Sequence, residues 1–164
     1  MKPAPGSPHP AFVKISATFF GAGCVPWAPG TAGSLAGLLL AWFIGPYVWA
    51  ALILLTALAF YVSRPAAQLF ASDDPKSFVL DEVCGVLIPV LFIPKNILLY
   101  AIAFAAFRFF DIVKPWPIGR IQKIKRPWAI VADDLAAGVF SLILCYAIGY
   151  VWVRYAASAG AALQ

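Results

Sequence analysis

The chain of 164 residues carries only seven acidic side chains, and five of them sit where charge is expensive. Asp81, Glu82, Asp111, Asp133 and Asp134 lie within or beside apolar runs, each at one end of an expected helix. Asp73 and Asp74 fall in a polar stretch and read as solvated. An ionisable group costs about 2.5–3.5 kcal/mol at the centre of a bilayer and less near its surface, so such residues face a bundle interior and find partners there. Five carboxylates at one depth repel one another unless a hard cation or basic groups neutralise them. An all-oxygen donor set suits Mg²⁺, Ca²⁺ or Mn²⁺ better than zinc. The plain alternative is a set of helix-end charges that share no site.

Two further groups fall in the same layer. Arg108, Asp111 and Lys114 are spaced i, i+3 and i+6, which sets the first two on one helix face with Lys114 a turn further on. Arg108 then either pairs with a carboxylate or grips a phosphate in bidentate fashion. The segment from Pro26 to Ser34, PWAPGTAGS, is a turn running into a helix start. Gly30 there admits close backbone approach, and free N–H groups beside Thr31 and Ser34 attract anions. A simple helix cap with tight packing explains the same residues.

Exclusion narrows the reaction. The one histidine, His9, stands in a Pro-rich N-terminal stretch, which removes histidine nucleophiles and Ser-His-Asp hydrolases. No cysteine is followed by arginine six positions on, and neither a DxDxT nor a GxxxxGK[ST] motif occurs. Carboxylates, a metal and basic or hydroxyl helpers remain, and those parts suit metal-assisted attack on a phosphate.

The elements that must position these groups read as membrane helices. Hydrophobic residues make up 63% of the chain and charged ones 12%, about half the charge of a soluble domain. No charged residue occurs between Lys14 and Arg64, and about 20 such residues cross a bilayer. A very apolar soluble bundle is the competing class. Breakers divide the sequence into a short interfacial helix at 12–20, apolar segments at 34–44 and 47–62 parted by Gly45-Pro46, and a polar stretch at 64–77. Helices follow at 78–93, kinked at Pro89, and at 97–113, closed by Lys114-Pro115. A basic loop at 114–130 leads to the longest span, 131–153. The expected fold is an all-α polytopic bundle with about four to five spanning helices. It comprises a disordered tail (1–10), one membrane-embedded domain (11–155) and a flexible tail (156–164). Cys24, Cys84 and Cys145, widely spaced and without CxxC, read as small core residues.

Two independent patterns orient the bundle. If the helices pair as hairpins and the last crosses once, one side collects Lys2, Lys14, Arg64, Lys76, Lys114, Arg120, Lys123, Lys125 and Arg126. The other side holds only Lys95 and Arg154. Basic loops stay in the cytoplasm. Trp27, Trp116 and Trp128 then mark the inner interface and Trp42, Trp49 and Trp152 the outer one, as aromatic belts do. The acids fall on the inner side. The net charge of +5 suits anionic lipid, and Arg120, Lys123, Lys125 and Arg126 either draw headgroups or simply set topology.

Four blocks carry a family resemblance: GAGCVPWAPGTAGSLAG (21–37), VLDEVCGV (79–86), FRFFDIVKPWPI (107–118) and VADDLAAGVFS (131–141). In that order they resemble the phosphatidylglycerophosphatase A family. The resemblance implies Mg²⁺-dependent hydrolysis of phosphatidylglycerophosphate to phosphatidylglycerol and phosphate at a bacterial inner membrane, and the carboxylates would hold one or two such ions. It carries over Asp81, Glu82, Asp111, Asp133 and Asp134 as metal or catalytic acids, with Lys114 and Thr31 beside them. Arg108, Gly30, Thr31 and Ser34 are the candidate phosphate binders. The partners expected are the anionic phospholipid substrate and the membrane, with no nucleic acid; oligomeric state stays open. The rivals are an ion-coupled transporter, since buried acids also form cation relays, and a non-catalytic membrane scaffold.

Overall fold

A computed structural model describes residues 8–72, 74–124 and 126–161, with side chains described up to residue 152. Asp73, Lys125, the side chain of Arg154 and most of the two expected tails lie outside the described residues. Every regular element among them is helical: α1 (Pro10–Ala17), α2 (Pro29–Ile44), α3 (Val48–Leu69), α4 (Leu80–Val90), α5 (Ile97–Val113), α6 (Ile118–Gln122) and α7 (Ala129–Ala161). Short 3₁₀ turns occupy Ala22–Cys24 and Gly45–Tyr47.

Helix α4 is the axis of the bundle. Nine of its eleven residues are buried, and α2, α3, α5 and α7 all pack on it. Ala41 and Val48 meet Leu87 and Val90 in one apolar cluster, whereas Ala59, Val62 and Ala66 meet Leu80 and Cys84 in another. Thus α2 runs parallel to α4, and α3 returns antiparallel after the turn at Gly45, whose φ of 55° and ψ of −119° break the helix. The expected break at Gly45-Pro46 is present. Tyr100 and Ala103 of α5 join the Val90 end, and Asp111 lies at the opposite end with Asp81, so α5 also runs antiparallel to α4.

Several boundaries differ from the sequence expectation. The second helix starts at Pro29, five residues early, because proline at the first helical position loses no hydrogen bond. The third continues through Pro65 to Leu69, since Ala66 packs on Val13 and Ala17 of α1 and that contact outweighs the missing N–H. A five-residue helix, α6, interrupts the expected basic loop. Cys84 is buried as expected, but Cys24 is exposed in the 3₁₀ turn.

The expected membrane character is met in part. Among the described residues two stretches are long and apolar enough to cross a membrane, Pro29–Leu69 and Ala129–Trp152. Helix α4 is too short: eleven residues rise about 16 Å, against a hydrocarbon layer of about 30 Å. The bundle surface is apolar, with Leu39, Phe43, Leu54, Ile97, Ile112 and Ile143 all at least 60% exposed. A soluble monomer rarely shows so much contiguous apolar surface.

Glycines set the closest helix approaches. A Cβ on Gly138 of α7 would stand 2.4 Å from the carbonyl oxygen of Gly85 on α4, whereas one on Gly149 would meet nothing within 4 Å. Gly138→Val should therefore part α4 from α7 and cost about 1–3 kcal/mol, read as a lower melting midpoint in detergent. Gly149→Ala should hold or slightly raise that midpoint, because alanine is the better helix former. Equal effects of the two substitutions would refute the close-packing account.

Candidate active site

Alternating helix direction brings the starts of α2, α4 and α7 and the end of α5 to one end of the bundle. A cavity of about 360 Å³ opens among them. All five helix-end acids line it, together with Arg108, Lys114, Gly30 and Thr31. Asp81, Asp111, Asp133 and Asp134 are each no more than 9% exposed.

The acids divide into two groups. Asp81, Glu82 and Asp134 present donor oxygens that all lie within 4.8 Å of one another. Asp81 and Glu82 occupy the first turn of α4, where the helix dipole favours negative charge. The Glu82 N–H donates to Asp81 Oδ1 at 3.0 Å, while Glu82 Oε2 is buried with no hydrogen-bond partner. Buried acceptors of this kind are rare and call for a ligand. Asp111 and Asp133 stand apart from that trio and are tied to bases. Arg108 Nη1 reaches Asp111 Oδ2 at 2.8 Å. Lys114 Nζ bonds closely to Asp133 Oδ2 and lies 3.5 Å from Asp111 and 3.9 Å from Asp134.

Lys114 is the cap of α5, in left-handed conformation with φ of 44°, and so swings back over the cavity. Partial burial works against its charge, but Asp134, Asp133 and Asp111 outweigh that and hold its pKa above the ordinary lysine value. It stays a cation at any physiological pH.

The PGT segment forms the floor. A Cβ on Gly30 would lie 2.3 Å from Glu82 Oε1 and 3.2 Å from Arg108 Nη1, so only glycine lets both side chains reach this depth. Thr31 lines the cavity. Ser34, expected to bind substrate, instead lies fully buried beneath it. Its hydroxyl donates to the Gly30 carbonyl at 2.8 Å and accepts from Arg108 Nη1 at 3.4 Å. That geometry makes Ser34 a positioning residue for the arginine.

The structure adds residues that the sequence reading passed over. Asp74 and Lys76, both exposed, bring the α3–α4 loop to the cavity wall, with Trp27 on another side. Their signal was the spacing of Asp74 only seven residues before Asp81, across a loop too short to leave that end of the bundle.

Comparison with known proteins gives a consistent result. The family model described as Phosphatidylglycerophosphatase A matches residues 15–149. A Haemophilus influenzae protein named Phosphatidylglycerophosphatase A is 37% identical over 84% of this chain and 89% of its own length. The Escherichia coli protein of the same name is 34% identical over 84% of each. A Bacteroides thetaiotaomicron protein with the provisional name phosphatidylinositol-3-phosphatase is 37% identical over 83% of this chain and 93% of its own. No solved structure matches.

Lys114 holds three acids together, which yields a stability test. Removing one partner of a buried ion pair costs about 3–5 kcal/mol. Lys114 is 19% exposed, so Lys114→Met should fall at the lower end of that range, seen as a depressed melting midpoint in detergent. Lys114→Arg should lose less. An unchanged midpoint for Lys114→Met would mean that the carboxylates are neutralised without it.

Proposed function

The chain belongs to the phosphatidylglycerophosphatase A family, and from that premise we propose that it hydrolyses the terminal phosphomonoester of phosphatidylglycerophosphate, releasing phosphatidylglycerol and phosphate. The observation that carries this reading is the trio of buried Asp81 and Asp134 with half-buried Glu82, facing Arg108 and Lys114 across one cavity. A hard divalent cation fits the trio: its donors are all oxygens, and Glu82 Oε2 has no other partner. Mg²⁺ there would supply Lewis-acid polarisation and a more acidic bound water.

The protein's own groups do the rest. Arg108, fixed by Asp111 and Ser34, keeps a buried Nε–H without a partner, a donor for a phosphoryl oxygen. The N–H groups at the start of α2 beside Thr31 add positive potential. Lys114, permanently charged, offsets negative charge as it grows on the phosphoryl group. Asp81 or Glu82 takes the proton from the attacking water. The P–O bond to glycerol then breaks, and the leaving alkoxide takes up the proton that the carboxyl group removed from the water.

Membrane placement follows the same logic. We assign crossings to α2, α3, α5 and α7 in a bacterial inner membrane, with α4 buried among them. The basic loops and Trp27, Trp116 and Trp128 sit at the cavity end, and the latter three are 92%, 74% and 40% exposed. That distribution supports a site at the cytoplasmic headgroup level.

The direct test is phosphate release from phosphatidylglycerophosphate in detergent, run beside phosphatidylinositol 3-phosphate. Release should stop with a divalent chelator, return with Mg²⁺ and respond poorly to zinc. Full activity after exhaustive chelation would remove the metal. Asp81→Asn, Asp111→Asn and Asp134→Asn should each lower turnover by roughly 100-fold or more with the protein still inserted.

Sidedness is tested by single cysteines in a chain lacking Cys24, Cys84 and Cys145. Ser72→Cys and Gln122→Cys should resist an impermeant thiol reagent in intact cells and label once the membrane is opened. Tyr47→Cys, at the far end of the bundle, should label without opening. The reverse pattern would put the cavity on the wrong face for a lipid made from soluble cytoplasmic precursors.

A further inference from the structure

The cavity's charges do not balance with a single cation in the trio. Six carboxylates line it against three bases, Lys76, Arg108 and Lys114, among the described residues. With all six ionised, as bound cations would hold them, that leaves three negative charges. One divalent ion reduces the deficit to one, and a phosphomonoester dianion would still meet a negative cavity. A second divalent ion turns the sign, so that the same cavity attracts the phosphate.

The structure offers a place for it away from the trio. Asp133 is 2% exposed and lines the cavity. Its Oδ2 is taken by Lys114, while its Oδ1 is buried with no hydrogen-bond partner. An ionised oxygen left bare in the interior costs more than almost any other polar defect. Asp74 lines the same cavity from the α3–α4 loop and makes no salt bridge among the described residues. Two carboxylates, with the remaining positions filled by water and phosphate oxygens, are the usual protein share of a magnesium site.

We propose that Asp74 and Asp133 hold a second divalent cation, distinct from the one held by Asp81, Glu82 and Asp134, and that this ion is what lets the cavity accept a dianionic phosphate. The proposal deepens the phosphatase reading and takes its charge argument from it. It makes Asp74 a functional ligand rather than the solvated surface acid that its polar sequence context suggests.

Ion counting tests it without turnover. Full-length protein in neutral detergent is titrated with Mn²⁺, and free ion is followed by electron paramagnetic resonance. Two ions per chain are expected for the wild type, one for Asp74→Asn, and two again for Asp74→Glu. Asp74 is exposed on a loop, so these variants should keep the wild-type melting midpoint. In the release assay, Asp74→Asn should raise the half-activating Mg²⁺ concentration by about 10-fold or more. One ion in the wild type, or two retained in Asp74→Asn, overturns the second site. Two ions without any phosphate release by the wild type would sink the phosphatase reading and leave the second site standing.

Discussion

Like charge packed into an apolar bundle is the constraint around which this molecule is arranged. Four acids no more than 9% exposed stand together with Glu82 at one end of a helical stack whose outer surface is almost wholly apolar. Each would be costly alone, and together they repel. Two features lower that cost. Lys114 and Arg108 supply cations within 4 Å. The alternating chain direction brings the starts of α2, α4 and α7 to the same end, where aligned peptide dipoles favour anions. What those features leave over, including the bare oxygens Glu82 Oε2 and Asp133 Oδ1, defines what a ligand must neutralise.

Holding charges at that depth requires helices that approach closely. Between helices in lipid there is no hydrophobic gain to drive association, so small residues and intimate packing must do so. Gly33 and Gly37 of α2 would carry Cβ atoms 2.7 Å from Val79 and Val86 respectively, so α2 lies directly against α4. Gly30 continues that seam into the cavity, where the space saved admits Glu82 and Arg108 instead of a neighbouring backbone. One glycine row thus serves packing at its middle and chemistry at its end.

Much of this was legible because the costly residues mark themselves. An acid in an apolar run can be recognised without knowing its partners, and the i, i+3 spacing of Arg108 and Asp111 put them on one helix face, where the structure pairs them. Helix α5 occupies the range the sequence predicts, since Asn96 caps its start and Pro115 bars its extension. The misses share a physical cause. Pro65 inside α3 and the burial of the short helix α4 depend on contacts with distant segments, which local pattern does not report. Ser34 lies beneath the floor, bonded to the Gly30 carbonyl one turn back and reached by Arg108 from 74 residues away in sequence. Asp74 resembles any solvated loop acid until the fold places it in the cavity wall.

Depth explains why the arrangement suits a headgroup enzyme better than a carrier. A transporter places its ion site near the midplane, on interrupted helices, so that either face can open to it. Here the carboxylates sit at helix ends, beside exposed Trp27 at the rim. Behind them the apolar cluster of Val83, Leu87, Val90 and Ala103 closes the interior toward the other face. A space of about 360 Å³ takes a polar headgroup but not two acyl chains, which must stay in the lipid beside the bundle. In the proposed reading the charged end of a lipid enters while its tails remain solvated by the bilayer, which would set the reacting bond where the protein has concentrated its charge.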